Sequence, residues 1–123
     1  MTDAAPAIQR LTKRSEFLAC ARAPSSAKGA VVVQALPRGD DTALVRVGFT
    51  ATKRIGGAVE RNRAKRRMRE AARALLPDFG APGVDYVIIA RGGVLTRPWP
   101  RLLDDVKTAL LRLAADRAAT HIG

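Results

Sequence analysis

Residues 44–76 read LVRVGFTATKRIGGAVERNRAKRRMREAARALL, and the period of the pattern changes midway through them. From Leu44 to Thr52, Val45, Val47, Phe49 and Ala51 alternate with Arg46, Gly48, Thr50 and Thr52. A strand with one buried face produces that period of two. Ile55-Gly56-Gly57 then breaks the strand and opens a loop. Gly56 and Gly57 suit either a plain turn or a close approach of backbone to a ligand. From about Val59 to Leu76 the period is helical, and Pro77, Gly80, Pro82 and Gly83 end the run. With Ala64 as zero and roughly 100° per residue, Ala71, Ala64, Leu75, Met68 and Ala72 occupy about 340° through 80°. That arc predicts a face packed on a sheet. Lys65, Arg69, Asn62, Arg73 and Arg66 fall at about 100° to 200°, and Glu70, Arg63 and Arg67 at about 240° to 300°. The cations are therefore sorted, with one stripe of four directly beside the buried face.

The flanks complete the layout. Downstream, Val84 to Ala90 (VDYVIIA) is an apolar run that predicts a central strand, followed by Arg91-Gly92-Gly93. A last helix is expected from Pro98 or Trp99 to about Ala119, with Leu102, Leu103, Val106, Ala109, Leu110 and Leu113 as its apolar stripe. Upstream, Ala30 to Leu36 (AVVVQAL) is β-branched and short, which predicts a strand. Pro37-Arg38-Gly39-Asp40-Asp41 is a turn, so the strands on either side of it are expected to pair as a hairpin. Thr12 is placed to cap a short helix from about Lys13 to Arg22. Phe17, Cys20 and Ala21 share one side of that helix, and Ala23-Pro24-Ser25-Ser26 ends it. Residues 1–10 are expected to form a loose arm, and residues 118–123 a tail. The order α-β-β-α-β-α predicts an α/β (α+β) fold, a compact sandwich of helices against a small mixed sheet. No internal boundary interrupts it, so residues 1–123 are expected to form a single domain.

Charge narrows the partner. The chain has 123 residues, with 22 Lys and Arg against 11 Asp and Glu, for a net charge of +11. Between Lys53 and Arg73 stand nine cations and two acids, Glu60 and Glu70. A chain of this balance attracts polyanions. Nucleic acid is favoured because each phosphate contact releases condensed counterions. No apolar run approaches the roughly 20 residues of a spanning helix, and the first ten residues do not read as a secretory signal. Cys20 is the only cysteine, which excludes an intrachain disulfide and a thiolate metal cluster. These features lead to an expectation of a cytoplasmic protein.

The stretch Arg46-Val47-Gly48-Phe49-Thr50-Ala51-Thr52-Lys53-Arg54-Ile55-Gly56-Gly57-Ala58-Val59-Glu60-Arg61-Asn62-Arg63-Ala64-Lys65-Arg66-Arg67-Met68-Arg69-Glu70 closely resembles the signature of the bacterial ribonuclease P protein family. Its specific core is Arg-Asn-Arg-x-Lys-Arg-x-x-Arg after a strand ending in two cations. Leu11 to Phe17 resembles that family's first helix, and Asp85 to Arg91 its last core strand. The resemblance implies a fold like the second domain of a small-subunit ribosomal protein, with a left-handed β-α-β crossover that holds the signature helix. General topology rules predict the opposite hand. It implies a protein subunit that assists Mg²⁺-dependent removal of the 5′ leader of precursor tRNA, the catalyst and most of the Mg²⁺ ligands lying on an RNA subunit. Partners would then be the catalytic RNA, in a 1:1 particle, and precursor tRNA. On this resemblance Arg61, Asn62, Arg63, Lys65, Arg66, Arg69 and Arg73 would face the catalytic RNA. Phe17, Val32, Gln34, Thr50, Thr52, Lys53 and Arg54 would line the leader cleft. Two departures from the family stand out: Ala21 occupies the place of a common second aromatic, and Gln34 that of a tyrosine in some members. Since a stacked base is worth about 1–3 kcal/mol, leader binding here is expected to lean more on charge.

Other readings leave weaker traces. A metal nuclease needs clustered carboxylates. Here Asp40-Asp41 sits in a turn and Asp104-Asp105 on a helix, and the only histidine is His121. No catalytic or metal-binding side chain is therefore assigned, and no organic cofactor is expected. A DNA-binding regulator would present the basic helix to a major groove, but the strand-loop-helix context lacks the preceding paired helix. A ribosomal-type protein that only scaffolds RNA is the remaining alternative.

Overall fold

The computed structural model describes residues 7–122, with side chains up to Ala118. Its elements are β1 (Ile8–Arg10), α1 (Arg14–Cys20), β2 (Ser25–Lys28), β3 (Val31–Pro37), β4 (Val45–Thr50), α2 (Ala58–Phe79), β5 (Val84–Ala90) and α3 (Trp99–Ile122). The five strands form one mixed sheet in the order β1-β4-β5-β3-β2. β4 and β5 are parallel, with α2 as the connection between them. The α+β architecture is as expected, with β5 at the centre of the sheet.

Several boundaries differ from those expected. β3 and β4 do not form a hairpin, because β5 lies between them and pairs with both. The run VDYVIIA is apolar on both faces, and only an interior position buries both. Part of the expected N-terminal arm is strand: Ile8, Gln9 and Arg10 pair in parallel with Val45, Arg46 and Val47. The rest of the arm, residues 1–6, lies outside the described residues. Ser25–Lys28 was expected to be loop and forms edge strand β2 against β3. The helix at Phe17 begins after Lys13, so Thr12 is not its cap. The backbone N–H groups of Thr12 and Lys13 instead donate to Glu16 Oε1 at 3.1 and 2.9 Å. α2 runs through Pro77 to Phe79, since the missing proline N–H forfeits only one bond in the last turn. α3 continues to Ile122 instead of ending in a tail from residue 118.

Each face of the sheet has its own cover. Val31, Val33 and Ala35, with Val45, Val47 and Phe49 and with Val84, Tyr86 and Ile88, pack against α2 and α3 in the main core. α2 contributes Ala64, Met68, Ala71, Ala72 and Leu75, the arc predicted from its period, together with Leu76 beside that arc. Burying a side chain such as Met68 or Leu76 stabilises the fold by about 1.5–3 kcal/mol. The opposite face has only the short α1, whose Cys20 and Phe17 join Leu11, Leu36, Val87 and Ile89 in a second, smaller cluster. Burial pushes the Cys20 thiol up to about 11, so it remains a protonated packing group.

Candidate nucleic-acid interface

The face under α1 is ordered in rows by strand register. Alternate residues of a strand share a face, so Leu36, Asp85 and Arg46 form one row across β3, β5 and β4. Gln34, Val87 and Gly48 form the next, and Val32, Ile89 and Thr50 the third.

The first row is closed by charge. Asp85, 3% exposed, accepts from Arg46 Nε and Nη2 at 2.7 and 2.6 Å and from Arg38 Nη1 at 2.8 Å. Arg46 also donates to Glu16 at 2.7 Å, which ties α1 to the sheet. The backbone N–H groups of Lys13 and Thr12, aided by Arg46, hold the Glu16 carboxyl below its ordinary range. Neither Arg46 nor Asp85 was singled out as more than part of a motif, yet together they anchor α1 over the cleft.

The second row makes room for an aromatic ring. A Cβ at Gly48 would lie 2.5 Å from Cε1 and Cζ of Phe17, so the ring rests where only glycine leaves space. Phe17 stays partly exposed, as do Gln34, Val32 and Thr50. Beyond the third row the strands end in a groove of about 750 Å³ lined by Thr52, Lys53, Arg54, Ile55, Ile89, Ala90, Arg91 and Gly92. The seven residues expected at a leader cleft therefore fall on one face and its open end. Sequence reasoning missed Arg91, although it follows directly on a strand already recognised. It also missed Ser25 and Ala27, which sit opposite Gln34 and Val32 on β2. The weak strand propensity of Ser-Ser-Ala-Lys gave no signal for these two.

The cations of α2 lie on the other side of the sheet. Asn62, Arg63, Arg66 and Arg73 are exposed, while Arg61, Lys65 and Arg69 are half-buried along the flank. Their carboxylate contacts among the described residues reduce to one, Arg73 to Glu70 at 4.0 Å. Arg67 behaves differently. It donates to the carbonyls of Val94 and Arg97 at 2.5 and 2.6 Å and pins the segment before α3. The two sets of expected site residues are thus separate, joined by the loop from Thr52 to Gly57. In that loop Gly56 has φ +144°, and a Cβ there would meet Glu60 Cβ at 2.8 Å. Glu60 Oε1 accepts from Gly57 N at 2.9 Å and closes the first turn of α2.

Among the described residues no three His, Cys, Asp or Glu side chains are grouped to hold a metal ion. No described helix is long and apolar enough to cross a membrane.

Comparison with known proteins bears on this two-sided arrangement. Residues 5–114 match the family model described as Ribonuclease P. The chain belongs to the ribonuclease P protein family. It is 66% identical over 109 residues to the ribonuclease P protein component of Caulobacter vibrioides, covering 89% of this chain and 73% of that protein. It is 51% identical over 116 residues to that of Ruegeria pomeroyi, covering 93% of each. Its fold superposes on the ribonuclease P protein of Thermotoga maritima with a TM-score of 0.71 at 26% identity, covering 84% of this chain and 96% of the other. A Staphylococcus aureus ribonuclease P protein mutant shares the fold with a TM-score of 0.72 at 23% identity, covering 85% and 87%. The chain is accordingly the protein subunit of ribonuclease P, works in tRNA processing, and has an RNA partner in that particle.

Proposed function

We propose that the two faces divide the work of the subunit. α2 seats the catalytic RNA through Arg61, Asn62, Arg63, Lys65, Arg66, Arg69 and Arg73. The groove under α1 takes the single-stranded 5′ leader of precursor tRNA. Phe17 offers a ring to an unpaired base, Val32, Gln34 and Thr50 line the floor, and Thr52, Lys53 and Arg54 meet the phosphates at the open end. The observation that carries this reading is a contrast: arginines at the closed end of the sheet are paired with Asp85, whereas on the opposite side the α2 cations have one carboxylate contact among the described residues, Arg73 to Glu70. Cations held apart from carboxylates are a seat for phosphate.

In this reading the RNA performs the cleavage, and the protein binds and orients. Mg²⁺ keeps several of its waters and is held largely by phosphate oxygens, so the ion is assigned mainly to the RNA. The particle is 1:1 and cytoplasmic.

Reconstitution tests the reading. The protein is mixed with a ribonuclease P RNA and precursor tRNA at low Mg²⁺, and 5′ cleavage is expected to be stimulated. No stimulation overturns it, and a preference for duplex DNA would favour a regulator instead. In the same assay Phe17→Ala is expected to weaken binding of substrates with a leader by about 1–3 kcal/mol, with little change for mature tRNA. Equal losses for both would reduce Phe17 to a packing residue.

A further inference from the structure

Trp99 is the one tryptophan in the chain, and it is 39% exposed at the first position of α3. It shares a shallow depression of about 430 Å³ with Arg66, Arg67 and Glu70 of α2. Indole joins a large apolar area to one polar N–H, a combination enriched at interfaces, and here it lies beside the cations of α2. The depression is continuous with the α2 cations through Arg66. Arg67 holds it in shape from below by fixing the Val94 and Arg97 carbonyls, and Arg97 is itself held by buried Asp105 at 2.9 Å. The platform is therefore built before any ligand arrives.

We infer that Trp99, Arg66 and Glu70 form a pocket for one unpaired nucleobase of the RNA seated on α2. The inference rests on the assignment of α2 to the catalytic RNA and extends that surface onto α3. Stacking on indole requires an unpaired base, because a base within a duplex has both faces covered. Glu70 decides between base and phosphate: a carboxylate at the rim repels a phosphate but accepts hydrogen bonds from a base. Guanine fits best, since its N1–H and amino group give one carboxylate two adjacent donors. Arg66 then meets the phosphate that flanks the base.

The lone tryptophan makes the test direct. Indole emission is followed while the intact protein is titrated with a ribonuclease P RNA, and it is expected to be quenched and shielded from a soluble quencher. Trp99→Ala is expected to lower RNA affinity about 5- to 150-fold at unchanged salt slope, since stacking releases no counterion, and Trp99→Phe is expected to recover part of the loss. Glu70→Gln is expected to weaken binding although it removes a negative charge, the reverse of what a purely electrostatic surface gives. Emission that stays unchanged while RNA binds overturns the inference alone, and does so even if Trp99→Ala fails to fold. Emission that shifts with protein concentration rather than with RNA assigns the face to a second copy and also overturns it. Tighter binding by Glu70→Gln removes the base-edge contact. Failure of the wild-type protein to bind the RNA would overturn this inference together with the assignment of α2.

Discussion

At one end of the sheet Arg38 and Arg46 enclose the carboxylate of Asp85, whereas along α2 Arg63, Arg66 and Arg69 have no carboxylate partner among the described residues. The same side chain is placed in opposite circumstances. Where arginine is paired, it closes one row of the sheet and fixes α1 through Glu16. Where it is left without a carboxylate, it brings no ion pair to the fold. Like charges one turn apart on a helix are unfavourable by a few tenths of a kcal/mol per pair. That cost makes sense only if a polyanion removes it, so pairing separates the arginines that build the molecule from those that serve it.

The sharpest way to break the comparison is at the paired end. Asp85→Ala would leave Arg38, whose side chain is 8% exposed, with only the more exposed Asp40 as counter-charge, and Arg46 with only Glu16. Removing one partner of a buried pair destabilises by about 3–5 kcal/mol where the other charge is left uncompensated, so with Asp40 and Glu16 still in place urea unfolding should shift by about the lower end of that range. A loss under about 1 kcal/mol would mean that the row is held by packing, and the distinction between the two regions would lose its basis.

Next in size is the row that seats the ring. Gly48→Ala places a methyl group 2.5 Å from Phe17, with Leu11 Cβ 3.3 Å away on the same side. Overpacking of this kind destabilises by about 1–3 kcal/mol. The ring is expected to leave the cleft floor, so binding of leader-bearing substrate should fall while binding of the ribonuclease P RNA to α2 is retained. Parallel losses on both faces would show that the two sites are not independent.

How much of this the sequence displayed follows from the range of each interaction. The buried arc of α2 was legible because helical period is local: Ala64, Met68, Ala71, Ala72 and Leu75 recur at three- and four-residue steps. Burial of β5 was legible because VDYVIIA is apolar on both faces. Strand pairing was not, since it depends on residues far apart, and the expected hairpin between β3 and β4 gave way to insertion of β5. Strands β1 and β2 were missed because Ile-Gln-Arg and Ser-Ser-Ala-Lys are too short for a period and are strands only beside a neighbour. Among the site residues, the signature gave chemistry but not side. Nothing in RNRAKRRMR shows that Arg67 turns to carbonyls of the segment before α3 while Arg66 turns to solvent.

That adjacent pair is the finest test of the comparison, since one helix and one residue type are common to both. Arg67→Ala strands two carbonyls that now accept from a cation, and the contact is only part-buried, so a stability loss of about 1–2 kcal/mol is expected. Arg66→Ala touches no such bond. Its effect on stability should stay within about 0.5 kcal/mol, and relief of repulsion from Arg63 and Arg69 would favour the folded state. Its effect should appear instead in the salt dependence of RNA binding, flattened by somewhat less than one unit of slope as a single phosphate contact is lost. Stability and salt slope are measured on the same two proteins, so each serves as the control for the other. An Arg66 variant with an unchanged slope would place that residue off the RNA. An Arg67 variant that flattens the slope without losing stability would show that its carbonyl contacts give way to phosphate when RNA binds.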